Sequence, residues 1–575
     1  MLRPGARSGR NRLPVGAAYL IERYWLTGLN RMHRTPTRPL LAALLFSVAA
    51  TPASSQTTTQ AAAQVAQAPQ RDLAEFEGHY EYRDGETLFI IAHQGRLVAV
   101  LGDSPYVLRA AGTDAFTNPS GGAIPFLRDA SGRIRAFQED GETFERLSST
   151  VTADTRRLLE PRPPGPDGLP VGYRYEPSPR LPDGIHTGVA GPGTLPADVA
   201  ERLVNGVING TYPDVRSILV YHKGALVLEE YFYGYERNRP HQMRSFTKSV
   251  ISLLAGVAVD RGLLRADEPV LARLGYSAYG NPDPRKANVT LIDLLSNRSG
   301  LACDERDGDS PGNEVKLYET TDWVKAFVDL PMVADPGTVA RYCSGGFFTA
   351  GRIIERAARK PLPEFAQEVL FEPLGIRRDD WKWSFALDRS ERHEFGQVHL
   401  RPRDMLKLGL LIERRGAWEG RRVVSASWID AATARQSRIG DSDYGLGIWH
   451  RWYGVRTPAG DRRVDTIMLS GNGGQKVFLV PSLDLIVAAT GVAFFVDSPV
   501  NQMLAEVLLP ALLQGEPSAE SGVGSQEFGL SYRRPAPPSA GGTITTSVSG
   551  SGVKSSPGLM NRSCSITYCL SCSWR

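Results

Sequence analysis

The sequence predicts an α+β protein, with one antiparallel sheet built from distant parts of the chain, flanked by helices and a helical subdomain, and preceded by a small all-β barrel. Three observations carry this. Residues 72–148 read as short strands separated by turn pairs; hairpin patterns recur at 212–233 and 475–490; and the residues between those two hairpins are mostly helical or loop.

In chain order, residues 1–55 read as an N-terminal extension and a signal peptide. Arg34 and Arg38 precede the apolar run 40–50, and Ala53 offers a small residue for cleavage. Met32 lies just before this pattern, so residues 1–31 read as an upstream extension of the frame. The apolar run is short for a bilayer span, which favours export to the periplasm or the medium, with no stable membrane insertion after cleavage, over a retained anchor. Residues 56–70, rich in Gln, Thr and Ala, form a flexible leader.

The barrel is expected within 72–150, with strands at 78–82, 87–92, 96–101, 106–110, 115–117, 124–128, 134–138 and 143–147. Asp84-Gly85, Gln94-Gly95, Ser131-Gly132 and Asp140-Gly141 supply turns between them. Residues 151–200 form a Pro-rich linker and wrap, since the ten prolines between 159 and 200 oppose a helix or a central strand. The main domain is expected at 201–515. It opens with a hairpin turning at Lys223-Gly224 and closes with a helix over 499–514. Residues 516–575 are rich in Ser, Gly, Pro and Thr and read as a disordered tail.

The chemistry centres on Ser245-Phe246-Thr247-Lys248. A seryl hydroxyl becomes a good nucleophile when a neighbour takes its proton, and a lysine one helical turn away can do so if burial lowers its pKa. The spacing alone is cheap, because Ser551 and Lys554 repeat it in the tail. What separates the copies is the apolar run after Lys248, which predicts a buried helix over 245–261 ended by Gly262. Tyr342, in Arg341-Tyr342-Cys343-Ser344, follows a turn at Pro336-Gly337 and precedes a helix over 346–359. It is the candidate proton relay, a phenol that a nearby lysine could hold partly as phenolate. Ser470-Gly471-Asn472-Gly473-Gly474-Gln475 leads into the late hairpin, where glycines permit close ligand approach.

Taken in this order, Ser245-x-x-Lys248, Tyr342-x-Ser344 and Asn472-Gly473-Gly474 resemble the three-motif layout of class C β-lactamase-related serine hydrolases. That family includes penicillin-binding D-alanyl peptidases, family VIII esterases and 6-aminohexanoate-dimer hydrolases. The resemblance covers residues 171–515 and includes His399-Leu400-Arg401-Pro402-Arg403-Asp404-Met405 and Tyr444-Gly445-Leu446-Gly447. It implies a β-lactamase/transpeptidase-like domain, with Ser245 as the acylated nucleophile, Lys248 as its base partner and Tyr342 as proton relay. The backbone amides of Ser245 and Gln475 would form the oxyanion hole, with Gly474, Gly473, Asn472 and Ser344 around the substrate. The barrel loosely resembles the lipocalin-like accessory domain attached to some of these hydrolases.

Two departures narrow the substrate. Ser344 stands where the family usually has Asn, and Asn472 where it usually has Lys or His, so a linear amide or carboxylic ester is expected ahead of a β-lactam. D-amino-acid peptides, a non-catalytic peptide or wall-fragment binder, and a ligand-binding role for the barrel are the alternatives. Gly308-Asp309-Ser310-Pro311-Gly312 imitates a nucleophile elbow, but Pro311 has no N–H for an oxyanion hole, so Ser310 is a loop residue.

Composition excludes other classes. With 42% hydrophobic and 22% charged residues and a net charge of +4, the chain is ordinary for a globular protein and carries no basic cluster for nucleic acid. The nine histidines lack metal-ligand spacing, and neither metal nor cofactor is expected. Cys303 and Cys343 are the two cysteines of the catalytic region. In an exported protein a disulfide between them would brace the Tyr342 loop, with buried thiols as the alternative.

Overall fold

The computed structural model describes residues 72–82, 87–166, 170–383, 397–458, 460–494 and 497–514. The expected signal segment, the leader and the tail with Ser551 and Lys554 lie outside the described residues, as does the Asp84-Gly85 turn.

Eight short strands follow Asp72: β1 (Gly78–Glu81), β2 (Thr87–His93), β3 (Arg96–Leu101), β4 (Ser104–Ala110), β5 (Ala115–Thr117), β6 (Ala123–Arg128), β7 (Ile134–Glu139) and β8 (Glu142–Ser148). Each pairs antiparallel with the next, and β8 returns to β1, closing the barrel. Alternation sends Tyr80, Leu88, Ile90, Leu97, Ala99, Phe116, Phe126, Phe137 and Phe144 inward. Their rings meet edge-on or tilted, as with Phe76 and Phe126 at 4.9 Å and Phe137 and Phe144 at 5.1 Å. Aromatic packing therefore fills the interior.

The described parts of the Pro-rich stretch, 159–166 and 170–196, hold no helix or strand, as their composition dictates. Pro196 then caps a helix, Ala197–Ile208, so the wrap ends a few residues before 200. Val199, Leu203, Val204 and Val207 share one face of this helix and are buried.

The main domain continues with β9 (Val215–His222), β10 (Ala225–Tyr231) and β11 (His241–Gln242), then, after a helical region, β12 (Lys382–Trp383) and β13 (Val398–Leu400). A small hairpin, β14 (Ala417–Trp418) and β15 (Arg421–Arg422), precedes β16 (Ser437–Ile439), β17 (Ser442–Tyr444), β18 (Trp449–Thr457), β19 (Gly460–Gly471), β20 (Gln475–Val480) and β21 (Leu485–Gly491). The large sheet runs β10-β9-β21-β20-β19-β18-β17-β16, so the early hairpin docks on the late one. β9 pairs with β21 from Val215↔Gly491 to His222↔Leu485.

Every residue of β9 is buried. Leu219 and Tyr221 face the core shared with Thr247–Asp260, Ser344–Ala358 and Pro402–Glu413, while Ile218 and Val220 face a second core with Ala197–Ile208 and the closing helical segment from Pro499. Two apolar layers thus clamp the sheet. The closing segment is an α–π–α succession over Pro499–Gln502, Met503–Leu508 and Leu509–Leu513.

Candidate active site

Ser245 lies in the single 3₁₀ turn Arg244–Phe246, which runs directly into the helix Thr247–Asp260; Gly262 follows with φ +70°, ending the helix where expected. Arg244, just before the serine, holds φ at +52°. Such a conformation costs a non-glycine residue about 1–2 kcal/mol, so packing must hold the turn in place. β11 pairs with β13 on one side, and Met243 N–H donates to Val398 O at 2.8 Å. On the other side Gly471 meets the turn so closely that a Cβ there would stand 2.1 Å from Met243 O.

The helix is buried from Thr247 to Ala258, so its polar groups need partners. Thr247 Oγ1 accepts from Val398 N–H at 3.0 Å, and Ser249 Oγ donates to Gly447 O at 2.6 Å. The second bond ties the Tyr444-Gly445-Leu446-Gly447 phrase to the helix that carries Lys248.

Lys248 Nζ donates to Ser245 Oγ at 3.0 Å and to Ser344 Oγ at 2.7 Å, and lies 4.7 Å from the centre of the Tyr342 ring. The Tyr342 phenol faces both Ser245 and Lys248. Ser344 opens the helix Ser344–Ala358, two residues earlier than the sequence pattern places its start. Tyr342 packs 5.4 Å from Trp449, which in turn meets Tyr444 edge-on at 4.6 Å. These aromatic rings wall one side of the site.

The ionisation pattern corrects the expectation drawn from burial alone. Burial pulls the Lys248 ammonium down, but Tyr342, Glu305 and Glu314 outweigh it, and Lys248 ends above its ordinary value. Burial raises the Tyr342 phenol, and the Lys248 charge does not bring it back. The resting pair is therefore an ammonium and a neutral phenol, rather than an amine and a phenolate.

Glu305 and Glu314 also border this cluster, and sequence reasoning singled out neither. Ser344 Oγ donates to Glu314 Oε1 at 3.0 Å, Tyr318 OH donates to the same oxygen, and Ser344 N–H donates to Glu305 Oε1. Burial and the Glu314 charge push Glu305 up to about 7. Glu314 opens the short helix Glu314–Tyr318 behind its cap Asn313. Glu305 follows Cys303 by two residues, and its N–H donates to Tyr342 O at 2.8 Å. The cysteine was the sequence signal closest to this carboxylate. Cys303 and Cys343 are disulfide-bonded, with Cα atoms 5.6 Å apart, so the Glu305 loop and the Tyr342 segment are covalently joined.

The structure brings the glycine-rich lead-in to the same place. Gln475 begins β20 opposite Gly471, and its side chain donates to Gly491 O at 2.6 Å and Asn472 O at 3.3 Å. That side chain is committed inside the loop, so the backbone amide is what Gln475 can offer to a ligand. The Asn472 carboxamide accepts from Gly473 N–H at 2.8 Å. A Cβ on Gly473 would lie 2.4 Å from the Phe494 ring and one on Gly474 would lie 3.2 Å from Ser498 Oγ, so neighbouring protein, rather than an approaching ligand, demands the glycine at Gly473. Lys476 does not replace the missing cation. It faces the side of the sheet opposite Gln475 and donates to Ser470 Oγ.

Ser310 braces its loop, accepting from Asp304 N–H at 3.0 Å, as expected of a non-catalytic serine. Among the described residues no group of His, Cys, Asp and Glu is arranged to hold a metal, and no helix is long and apolar enough to cross a membrane.

A family model described as Beta-lactamase matches residues 198–496. A 6-aminohexanoate-dimer hydrolase from Paenarthrobacter ureafaciens is 24% identical over 290 residues, covering 46% of this chain and 69% of that protein. Penicillin-binding protein 4 of Amycolatopsis lactamdurans is 31% identical over 137 residues (24% of this chain, 35% of that protein), and esterase EstB of Burkholderia gladioli is 27% identical over 145 residues (24% and 37%). The chain thus spans little more than a third of the length of the latter two.

Proposed function

The chain belongs to the β-lactamase family and is a serine hydrolase, and from that premise we propose that it is an exported enzyme cleaving a carboxylic ester or linear amide through an acyl-enzyme on Ser245. One observation carries the assignment of residues. Lys248 Nζ bridges the Ser245 and Ser344 hydroxyls, at 3.0 and 2.7 Å, with the Tyr342 phenol facing the same pair.

In this reading Ser245 Oγ attacks the substrate carbonyl while its proton passes to Lys248. The backbone N–H groups of Ser245 and Gln475 receive the developing oxyanion, a contribution of about 100- to 1,000-fold per donor in enzymes of this chemistry. Tyr342, poised between serine and lysine, returns a proton to the leaving oxygen or nitrogen. Water then repeats the sequence on the acyl-enzyme.

The substrate reading rests on Ser344 and Asn472. An asparagine at 344 would offer an amide to an acylamide side chain, and a cation at 472 would grip a carboxylate. This site has a hydroxyl and a carboxamide turned onto its own loop. β-Lactams are therefore poor substrates, and short acyl esters and ω-amino-acid amides are better ones. Export is supported by the N-terminal pattern and by the Cys303–Cys343 bond, which suits an oxidising compartment.

The test is labelling by a fluorophosphonate probe followed by peptide mass mapping, alongside hydrolysis of p-nitrophenyl esters, ω-amino-acid dimers and a chromogenic cephalosporin. The expected result is one adduct on Ser245, ester and amide turnover well above cephalosporin turnover, and loss of both adduct and turnover in Ser245→Ala. Undiminished hydrolysis by Ser245→Ala would refute the assignment, and ligand binding without any acylation would favour a non-catalytic binder.

A further inference from the structure

We infer that Glu314, reached through the Ser344 hydroxyl, takes the proton that Lys248 must lose before it can serve Ser245, making Ser344 and Glu314 positioning residues that control the charge of the lysine. The inference rests on the reading of Ser245 and Lys248 given above.

An ammonium cannot accept the seryl proton, so the resting Lys248 must first give one up. Nζ hydrogen-bonds two hydroxyls, Ser245 Oγ at 3.0 Å and Ser344 Oγ at 2.7 Å. The first belongs to the group awaiting activation. The second leads onward, since Ser344 Oγ accepts from Lys248 and donates its own proton to Glu314 Oε1 at 3.0 Å. A hydroxyl that accepts on one side and donates on the other can pass a proton without moving.

The transfer balances without a co-reactant. One N–H bond of Lys248 breaks as an O–H bond forms at Ser344, and the original Ser344 O–H breaks as one forms at Glu314. A cation and an anion become a neutral amine and a neutral carboxylic acid. Lys248 can then accept the Ser245 proton as the Oγ–carbon bond forms. When the leaving group has taken its proton, the reverse shift restores the ammonium and the carboxylate.

The surroundings fit this use. The groups facing Lys248 are Ser245 in the turn that leads into its helix, Tyr342 and Ser344 at the start of the helix Ser344–Ala358, Glu305 from the disulfide loop, and Glu314 from the helix Glu314–Tyr318. Tyr318 OH fixes the Glu314 carboxyl by a second hydrogen bond. Glu305 takes the Ser344 backbone N–H and also lies within reach of the Ser344 hydroxyl, whose own proton goes to Glu314 Oε1 at 3.0 Å. An asparagine at 344 could bond the lysine but could not relay a proton in this way, so the departure from the family's usual residue carries a specific chemical role.

The experiment compares wild type with Glu314→Gln, Glu314→Asp, Ser344→Ala, Ser344→Asn and Ser344→Thr, using p-nitrophenyl ester hydrolysis over pH together with thermal melts. Glu314→Gln and Ser344→Ala are expected to lower kcat about 100-fold with little change in KM. In both, kcat/KM should keep rising about tenfold per pH unit into alkaline solution, because the lysine must then lose its proton to solvent. Ser344→Thr should recover most of what Ser344→Ala and Ser344→Asn lose, and Glu314→Asp should recover part of the loss in Glu314→Gln. A wild-type pH profile in Glu314→Gln, or equal losses in Ser344→Thr and Ser344→Ala at unchanged melting temperature, would overturn the relay. Fluorophosphonate labelling keeps the two readings apart. Ser245 labelled in a Glu314→Gln protein with wild-type kinetics sinks the relay alone, whereas an active Ser245→Ala protein sinks the acyl-enzyme reading beneath it.

Discussion

At the scale of single residues, the site turns on how few groups decide one proton. Burial alone would make Lys248 an amine, and the sequence shows the burial plainly in the apolar run after it. It does not show Tyr342 and the carboxylates Glu305 and Glu314 converging on the lysine and together reversing the outcome, the carboxylates coming from loop and short-helix positions without periodic patterning. Ser245, Lys248 and Tyr342 could be singled out because their spacing is local or tied to a motif, and the structure brings them together; the carboxylates could not, because only tertiary packing brings them to Ser344. Glu305 also makes a stability prediction. Its carboxyl titrates near 4.5 when free and at about 7 when folded, so the folded state holds the extra proton between those values. The stability from this group is present in full below the lower value and is lost as pH rises through the upper one. Glu305→Gln removes that dependence while keeping an acceptor for the Ser344 N–H. In calorimetry from about pH 5 to about pH 8 the wild-type melting temperature should fall further than that of Glu305→Gln, and parallel curves would contradict the assignment.

At the scale of elements, the turn that carries Ser245 is strained at Arg244 and is held by what packs on it. The hairpins on either side of the Thr247–Asp260 helix were legible from turn pairs and apolar alternation. Strands β18 and β19 were not, because Arg451, Arg456, Asp461, Arg462 and Arg463 interrupt the apolar positions Val455, Val464 and Met468 that face the core. The close approach at Gly471 was invisible for the same reason, since it depends on β19 reaching the serine turn. Gly471→Ala should therefore disturb Ser245 through the backbone. A Cβ 2.1 Å from Met243 O must displace the turn or the strand, with a cost of about 1–3 kcal/mol. The expected outcome is a lower melting temperature together with a kcat loss larger than the change in KM, and an unchanged rate of fluorophosphonate labelling would contradict it. The Cys303–Cys343 bond acts in the same direction from the other side. It closes a separation of 40 residues, worth about 4 kcal/mol in chain entropy, and keeps Glu305 against Ser344. Reduction of the native protein should lower both stability and turnover, as followed by thermal melts and ester hydrolysis before and after reductant, and full turnover with both thiols alkylated would show that the brace is dispensable for the site.

At the scale of the whole molecule, the barrel meets the hydrolase domain through residues that point out of it. In β3, Leu97, Ala99 and Leu101 fill the interior, while Val98 and Val100 face outward with Ile91 of β2. These outward residues are buried against Leu158, Leu159 and Tyr235. The continuous apolar run Leu97-Val98-Ala99-Val100-Leu101 was a legible sign of a strand covered on both faces, although nothing in it named the partner. Tyr235 stacks on His241 at 4.1 Å, and His241 lies on β11, three residues before Arg244. The barrel is thus packed against the Tyr235 ring, which stacks on the strand leading into the Ser245 turn. The ion pair Asp103–Arg239, at 2.5 Å, spans the same junction but is partly exposed on both sides and contributes about 0–1 kcal/mol. Apolar contact is therefore what holds the two parts. Val98→Asp should place a charge in that contact and cost about 2–4 kcal/mol, opening residues 151–166 to limited proteolysis, whereas Asp103→Asn should leave the cleavage pattern close to wild type. The opposite result, with the junction opened by Asp103→Asn and unaffected by Val98→Asp, would mean that charge rather than packing seats the barrel beside the strand that leads into the Ser245 turn.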